Sequence, residues 1–159
     1  MNGKIFVSGL LIIAAIVGIS IYYLQVYGFY DDIDPQSGLG DLIVTTDQGQ
    51  SRALVASDFQ GIDSTSSPLR YRSCFKLSAD QAVDLVPFDA PTPLIGPKWF
   101  KCFSAGDLDA DLSNGAAQAY LAQKDIAPGI DRVIAIYPDG TAFAWHQLNE
   151  TAEEKKVLE

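Results

Sequence analysis

The sequence predicts an α+β protein: an N-terminal transmembrane helix followed by a small antiparallel sheet with two short helices and one disulfide. Three observations lead there. The stretch from Ile5 to Tyr30 carries no charged residue, two alternating runs flank Asp139-Gly140 in "DRVIAIYPDGTAFAWHQL", and the 159-residue chain has two cysteines, Cys74 and Cys102. A chain of this length has room for one domain plus an anchor.

The apolar run "IFVSGLLIIAAIVGISIYYL" supplies about 20 residues, enough for the roughly 30 Å of a hydrocarbon core. Tyr22, Tyr23, Tyr27, Phe29 and Tyr30 crowd its C-terminal end, as amphipathic rings do where acyl chains meet headgroups. Lys4 precedes the run while Asp31, Asp32 and Asp34 follow it, so the positive-inside rule expects residues 1–4 in the cytoplasm and everything after the span in the periplasm. A cleaved signal peptide is the rival reading, with Gly18 and Ser20 as a poor cleavage site. The apolar run continues past Ser20 through Leu24, longer than a signal core needs, and this favours a retained anchor over 5–30.

The formal charge is −9; all 20 acidic residues, and every one of the 11 basic residues but Lys4, lie beyond Tyr30. Nucleic acid requires clustered cations, so such an acidic domain argues against DNA or RNA as the partner, and it would repel an anionic lipid surface.

After the span, "DDIDPQSGLGD" is acidic and rich in turn formers, which predicts a tether over 31–41. The domain should occupy 42–149. Strands are expected at Leu42 to Thr46 and Arg52 to Ala56, then a loop through "SDFQGIDSTSSP" and a strand from Leu69 to Leu77. Ser78 and Gln81 form a capping-box signature ahead of Ala79, Ala82, Val83 and Val86, predicting a short helix. Four prolines in "PFDAPTPLIGPKW" impose an irregular crossing. A second helix is expected through "GAAQAYLAQKD", capped by Ser113 or Asn114.

Asp139-Gly140 suits a type I′ hairpin turn, which would pair Ile136 with Phe143 and Ile134 with Trp145. The opposite face, with Val133, Ala135, Tyr137, Ala142, Ala144 and His146, would receive the alanine-rich helix. The charged tail 150–159 should fray.

Alternation along Leu69 to Leu77 puts Arg70, Arg72, Cys74 and Lys76 together on a polar side, so Cys74 is expected to face outward. In an oxidising compartment an even pair is most economically a disulfide, and Cys74–Cys102 is the expectation. Metal or redox chemistry would need more: the chain has no CxxC, one histidine and one methionine, so no metal or cofactor is expected. GxSxG, HExxH, GxGxxG and the phosphate-loop pattern are absent. "DLDADLSNG" has a calcium-loop look, yet Leu112 and Gln118 stand where a glycine and a glutamate are required.

His146 lies between Trp145 and Gln147 as a candidate ligand or pH site, with a hydrogen-bonded core histidine as the plainer reading. A Cys74–Cys102 bond would gather Arg70, Arg72, Lys76, Lys98, Trp99 and Lys101 into one cation-aromatic patch, the candidate interaction surface. Cations balancing local aspartates, with the aromatics in the core, is the equal alternative.

Taken together, "MNGKI", "YYLQVYGFY", "DFQGIDS", "SSPLRYRSCF", "WFKCF", "GIDRV" and "AWHQL" resemble an uncharacterised family of small, single-span anchored proteins of alphaproteobacteria. The resemblance implies no activity. Some relatives carry a histidine-kinase label, but this chain has neither the length nor the nucleotide motif of an ATP-binding domain, and His146 sits in a hairpin.

The expectation is a non-enzymatic protein of the inner membrane, acting as accessory subunit or assembly factor for integral membrane partners. The alternative is a periplasmic sensor in which Arg72 or His146 meets an anionic ligand under the proline-rich crossing. A hydrolase would require Asp58, Asp63 or Asp131 to converge.

Overall fold

The computed structural model describes residues 3–152. Helix α1 (Gly3–Tyr23) continues into a single π-helical turn, Leu24–Gly28, where the amide of Phe29 bonds the carbonyl of Leu24 at 3.1 Å. Its 26 residues are long and apolar enough to cross a membrane, and no other described segment packs over its apolar window. Backbone polar groups cannot remain bare in lipid, and a helix satisfies them internally.

The domain is built on a six-stranded antiparallel sheet in the order β1-β4-β5-β8-β7-β6. These strands are β1 (Asp31–Asp32), β4 (Ala56–Asp63), β5 (Arg72–Leu77), β6 (Gln118–Ala127), β7 (Ile130–Ile136) and β8 (Thr141–Leu148). A separate hairpin joins β2 (Ile43–Thr45) to β3 (Ser51–Ala53). Two short helices complete the fold, α2 (Pro35–Gly40) and α3 (Ala105–Asn114). The α+β expectation holds, with the N-terminal apolar helix, the antiparallel sheet and the disulfide as foreseen.

Both faces of the sheet are covered. Phe75, Leu77, Ile134, Ile136, Ala142 and Ala144 pack with Leu42, Val44 and Leu54 of the β2–β3 layer. Cys74, Val133, Ala135 and Trp145 pack with Phe100 and Phe103 of the proline-rich crossing and with Leu108 of α3. A strand buried on two faces cannot keep a solvated side, which explains why every residue of β7 is buried.

Several local expectations are corrected. The segment 31–41 is no free tether: β1 pairs with the end of β4, the Ile33 amide bonds Gly61, and α2 packs on β4. "SDFQGID" is strand β4, with a bulge between Ser57 and Gln60 that hides its alternation. The helix expected after Ser78 is one 3-10 turn, Ala79–Ala82. The largest error concerns "GAAQAYLAQKD". Helix α3 ends where this stretch begins, with Gly115 at φ 80° as its left-handed cap, and Gln118–Ala127 is strand β6. Pairing along β7 overrides the helical propensity of its alanines.

The β7–β8 hairpin closes through a three-residue loop. In a two-residue type I′ loop Pro138 would stand opposite Thr141 without the N–H that this pairing needs, whereas its fixed φ suits the second position of a type I turn. Tyr137 to Gly140 form that turn, with the Gly140 amide on the Tyr137 carbonyl and Gly140 at φ 82°. Tyr137 therefore bonds Thr141, and Ala135 opposes Phe143, Val133 opposes Trp145 and Arg132 opposes His146. This register is one residue from the type I′ expectation, and it puts Phe143 and Trp145 on the face with Val133 and Ala135. Beyond Ala152 the expected charged tail lies outside the described residues, as do Met1 and Asn2 of the expected cytoplasmic end.

Candidate functional site

Several of the chemistry-bearing residues, Arg70, Arg72 and Trp99 among them, lie near the place where the apolar helix meets the domain. Cys74 and Cys102 are joined, with their α-carbons 6.2 Å apart. The pairing expected from sequence is present, but its supporting orientation is not. β5 starts at Arg72 because Pro68–Arg70 is a 3-10 turn, and Cys74 is only 7% exposed. The polar side of the strand faces a second core, in which Cys74 packs beside Phe100, Phe103 and Trp145.

Arg72, 3% exposed, is likewise internal. Its guanidinium donates to the carbonyls of Leu69 (2.8 Å), Tyr71 (2.6 Å), Leu94 (2.7 Å) and Ile95 (3.4 Å), and it lies over the Phe103 ring at 5.6 Å. Burial lowers its pKa to about 10, with Tyr30 and Asp63 opposing the shift. The residue therefore clamps the proline-rich crossing onto β5, and neither a partner nor an anion can reach it as the sequence reading supposed.

Trp99 leaves the crossing to meet the end of the apolar helix. Its indole Nε1 donates to the carbonyl of Val26 at 2.6 Å. Its ring stacks on Tyr27, centroids 6.2 Å apart, and meets Tyr30 edge-on at 5.9 Å. A helix end leaves its last carbonyls without intrahelical partners, and here a side chain from 73 residues downstream supplies one. Arg70 adds its guanidinium over the rings of Phe29 (5.7 Å) and Tyr30 (5.2 Å), with Nη1 buried and unbonded among the described residues. Lys98 and Lys101 flank Trp99 and are exposed.

The expected patch is thus divided. Arg70 and Trp99 converge on the aromatic end of the apolar helix, Lys98 and Lys101 are exposed near Trp99 in the chain, and Arg72 is buried. Lys76 is elsewhere: it pairs with Thr141 at the far end of β5, beside the Asp139 turn.

His146 is 5% exposed and belongs to a buried polar network. Its Nδ1 lies 2.6 Å from the Pro68 carbonyl, which can only accept, so Nδ1 carries the proton and Nε2 accepts from Arg132 Nε at 3.0 Å. Burial pushes its pKa down to about 4, the neighbouring Arg132 and Arg72 adding to the effect and the Pro68 hydrogen bond opposing it. Arg132, which the sequence reading did not single out, also donates to Asp41 and Gln123 and stacks over Tyr71 at 4.4 Å. The signal for it was the hairpin register: only the three-residue loop places Arg132 opposite His146.

Outside this junction, a cleft of about 410 Å³ opens between the crossing and the ends of β6–β8, lined by Phe88, Thr92, Lys124, Asp131 and Gln147 among others. Gln147 bonds the Thr92 amide and the Ala90 carbonyl, and Asp131 accepts from Asp125 and Asn149. Neither Arg72 nor His146 lines it. The aspartates considered for hydrolysis do not converge. Asp58 is exposed on β4, while Asp63 and Asp131 sit on strands three positions apart, roughly 14 Å at normal spacing. Among the described residues no group of three or more His, Cys, Asp or Glu side chains could hold a metal ion.

A family model described as a family of unknown function (DUF6446) matches residues 42–156. This agrees with the resemblance to an uncharacterised family and leaves the N-terminal apolar helix outside the match. No curated protein and no solved structure matches the chain.

Proposed function

We propose, for a chain that belongs to the DUF6446 family of unknown function, a role as a non-enzymatic, single-pass accessory subunit or assembly factor of a larger membrane complex. Its anchor lies in the inner membrane with the N-terminus cytoplasmic and the domain periplasmic. The disulfide suits that oxidising side, and the single apolar helix suits the anchor.

The observation that carries the reading is the bond from Trp99 to Val26. A domain on a loose tether samples many heights and tilts. This one is fixed to the last turn of its span through Trp99, Arg70 and strand β1, so it presents one pose to the bilayer plane. A fixed pose suits repeated contact with another membrane protein, because orientation entropy has been spent on folding and not on binding.

The test is mild-detergent purification of the full chain, with cross-linking and mass spectrometry of its companions. A stoichiometric membrane protein is expected, its yield falling in Trp99→Ala while the Cys74–Cys102 bond stays intact. Absence of any stoichiometric companion sinks the reading.

The cleft under the crossing favours one second reading, a ligand-binding sensor. Its residues differ from those the sequence suggested: Lys124, Asp131 and Gln147 would meet a polar ligand. A small molecule retained by the purified chain, and lost in Gln147→Ala, would favour this reading.

A further inference from the structure

We propose that the loop Leu94–Lys101 is a lipid-binding surface, in which Ile95 enters the headgroup layer and Lys98 and Lys101 bind the phosphates of anionic lipid. The proposal rests on the reading of the apolar helix as a membrane anchor and specifies what the domain does at that membrane.

Depth comes first. About 20 helical residues cross the hydrocarbon, so a span starting near Ile5 reaches the headgroups near Leu24. Val26 and Tyr27 then lie in the interfacial layer, and so does Trp99, which bonds one and stacks on the other. Tryptophan and tyrosine favour that layer, having an apolar body and a polar edge. Trp99 reaches it from the folded domain, adding to the belt that the span itself supplies.

Conformation follows. Arg72 holds the carbonyls of Leu94 and Ile95, so the loop backbone is pinned while the Ile95 side chain is left exposed. At 86% exposed it is the most exposed large apolar side chain among the described residues, ahead of Ile5 in the span at 70%. A pinned loop that displays an isoleucine four residues from an interfacial tryptophan fits an apolar neighbour, and the layer that this tryptophan joins is lipid.

The domain is acidic overall, yet between Asp89 and Asp107 the chain has no acidic residue and two exposed lysines, Lys98 and Lys101. Net charge repels an anionic surface at long range, but a phosphate in contact responds to the local cations.

The test uses the full chain reconstituted in vesicles of phosphatidylcholine alone or mixed with phosphatidylglycerol, with acyl chains brominated close to the headgroup. Insertion is checked by resistance to carbonate extraction. Ile95→Trp adds a third tryptophan, read as its emission minus that of wild type. The expected added emission is blue-shifted and quenched by the bromines, about twofold more strongly with phosphatidylglycerol present. Lys98→Glu with Lys101→Glu should remove that excess. Red-shifted, unquenched emission from a carbonate-resistant chain overturns the lipid surface and leaves the anchor standing, as would be seen if the loop faced water or a protein. Quenching indifferent to phosphatidylglycerol overturns the role of the lysines. A chain extracted by carbonate overturns the anchor and the lipid surface together.

Discussion

The indole of Trp99 caps the carbonyl of Val26, so the domain closes onto the helix that carries it. The Trp99→Phe variant keeps a ring against Tyr27 but loses the bond, which is worth about 1 kcal/mol. Amide exchange over Gly28–Asp32, measured in bicelles, should therefore quicken roughly fivefold, while Val133–Ile136 in the sheet centre stays unchanged. Equal exchange in both forms would show that the junction opens without this bond.

The Cys74–Cys102 bond encloses 28 steps of chain, which in the chain-entropy treatment is worth about 3 to 4 kcal/mol. Replacing both cysteines by alanine should lower the melting temperature by roughly 10 to 20 °C. Without reductant neither cysteine should alkylate; prompt labelling of Cys74 in the native chain would contradict the structure.

Arg72→Met removes the donor to four carbonyls and leaves the clamp empty. Leaving buried acceptors unbonded should destabilise the domain by about 3 kcal/mol, and the freed crossing should be cut by trypsin at Lys98 and Lys101. Arg72→Lys should recover only part of this, since one ammonium cannot span the same carbonyls. Wild-type resistance to trypsin in both variants would refute the clamp.

His146 predicts a pH dependence. Its folded pKa, about 4, lies below the ordinary histidine value, so the neutral ring is favoured by folding. The stability this confers is fully present above about pH 6.5 and is lost as pH falls toward 4, amounting to roughly 3 kcal/mol at about 1.4 kcal/mol per unit. Protonation would set an imidazolium against Arg132, its hydrogen-bond donor. Asp63 acts in the opposite sense, burial having raised its pKa. His146→Gln keeps a donor and an acceptor without titrating, so its denaturation midpoint should change much less between pH 6.5 and 4; an unchanged slope would assign the effect elsewhere.

Much of the architecture was legible locally. The apolar helix shows itself by the 26 uncharged residues from Ile5 to Tyr30, and the β7–β8 hairpin by its alternation. The cysteine pairing was also legible, although through a wrong picture of where Cys74 points. Arg72, Cys74 and Lys76 do share one side of β5, as alternation requires, but α3 and the segment around Phe100 and Phe103 cover that side. The same long-range pairing hid β6, whose alanines read as helix until β7 claimed their backbone.

By itself the sequence determined an apolar helix with an aromatic end, an acidic α+β domain and a cysteine pair suited to an oxidising compartment. Hydrophobic length, residue periodicity and composition are local properties that no partner segment can alter. Only the tertiary structure decided which faces of β5 are buried, that Arg132 and His146 meet, and that Trp99 reaches Val26. These depend on contacts between residues distant in the chain, set by strand register and by the path of the crossing, and a one-residue change in a turn is enough to exchange them.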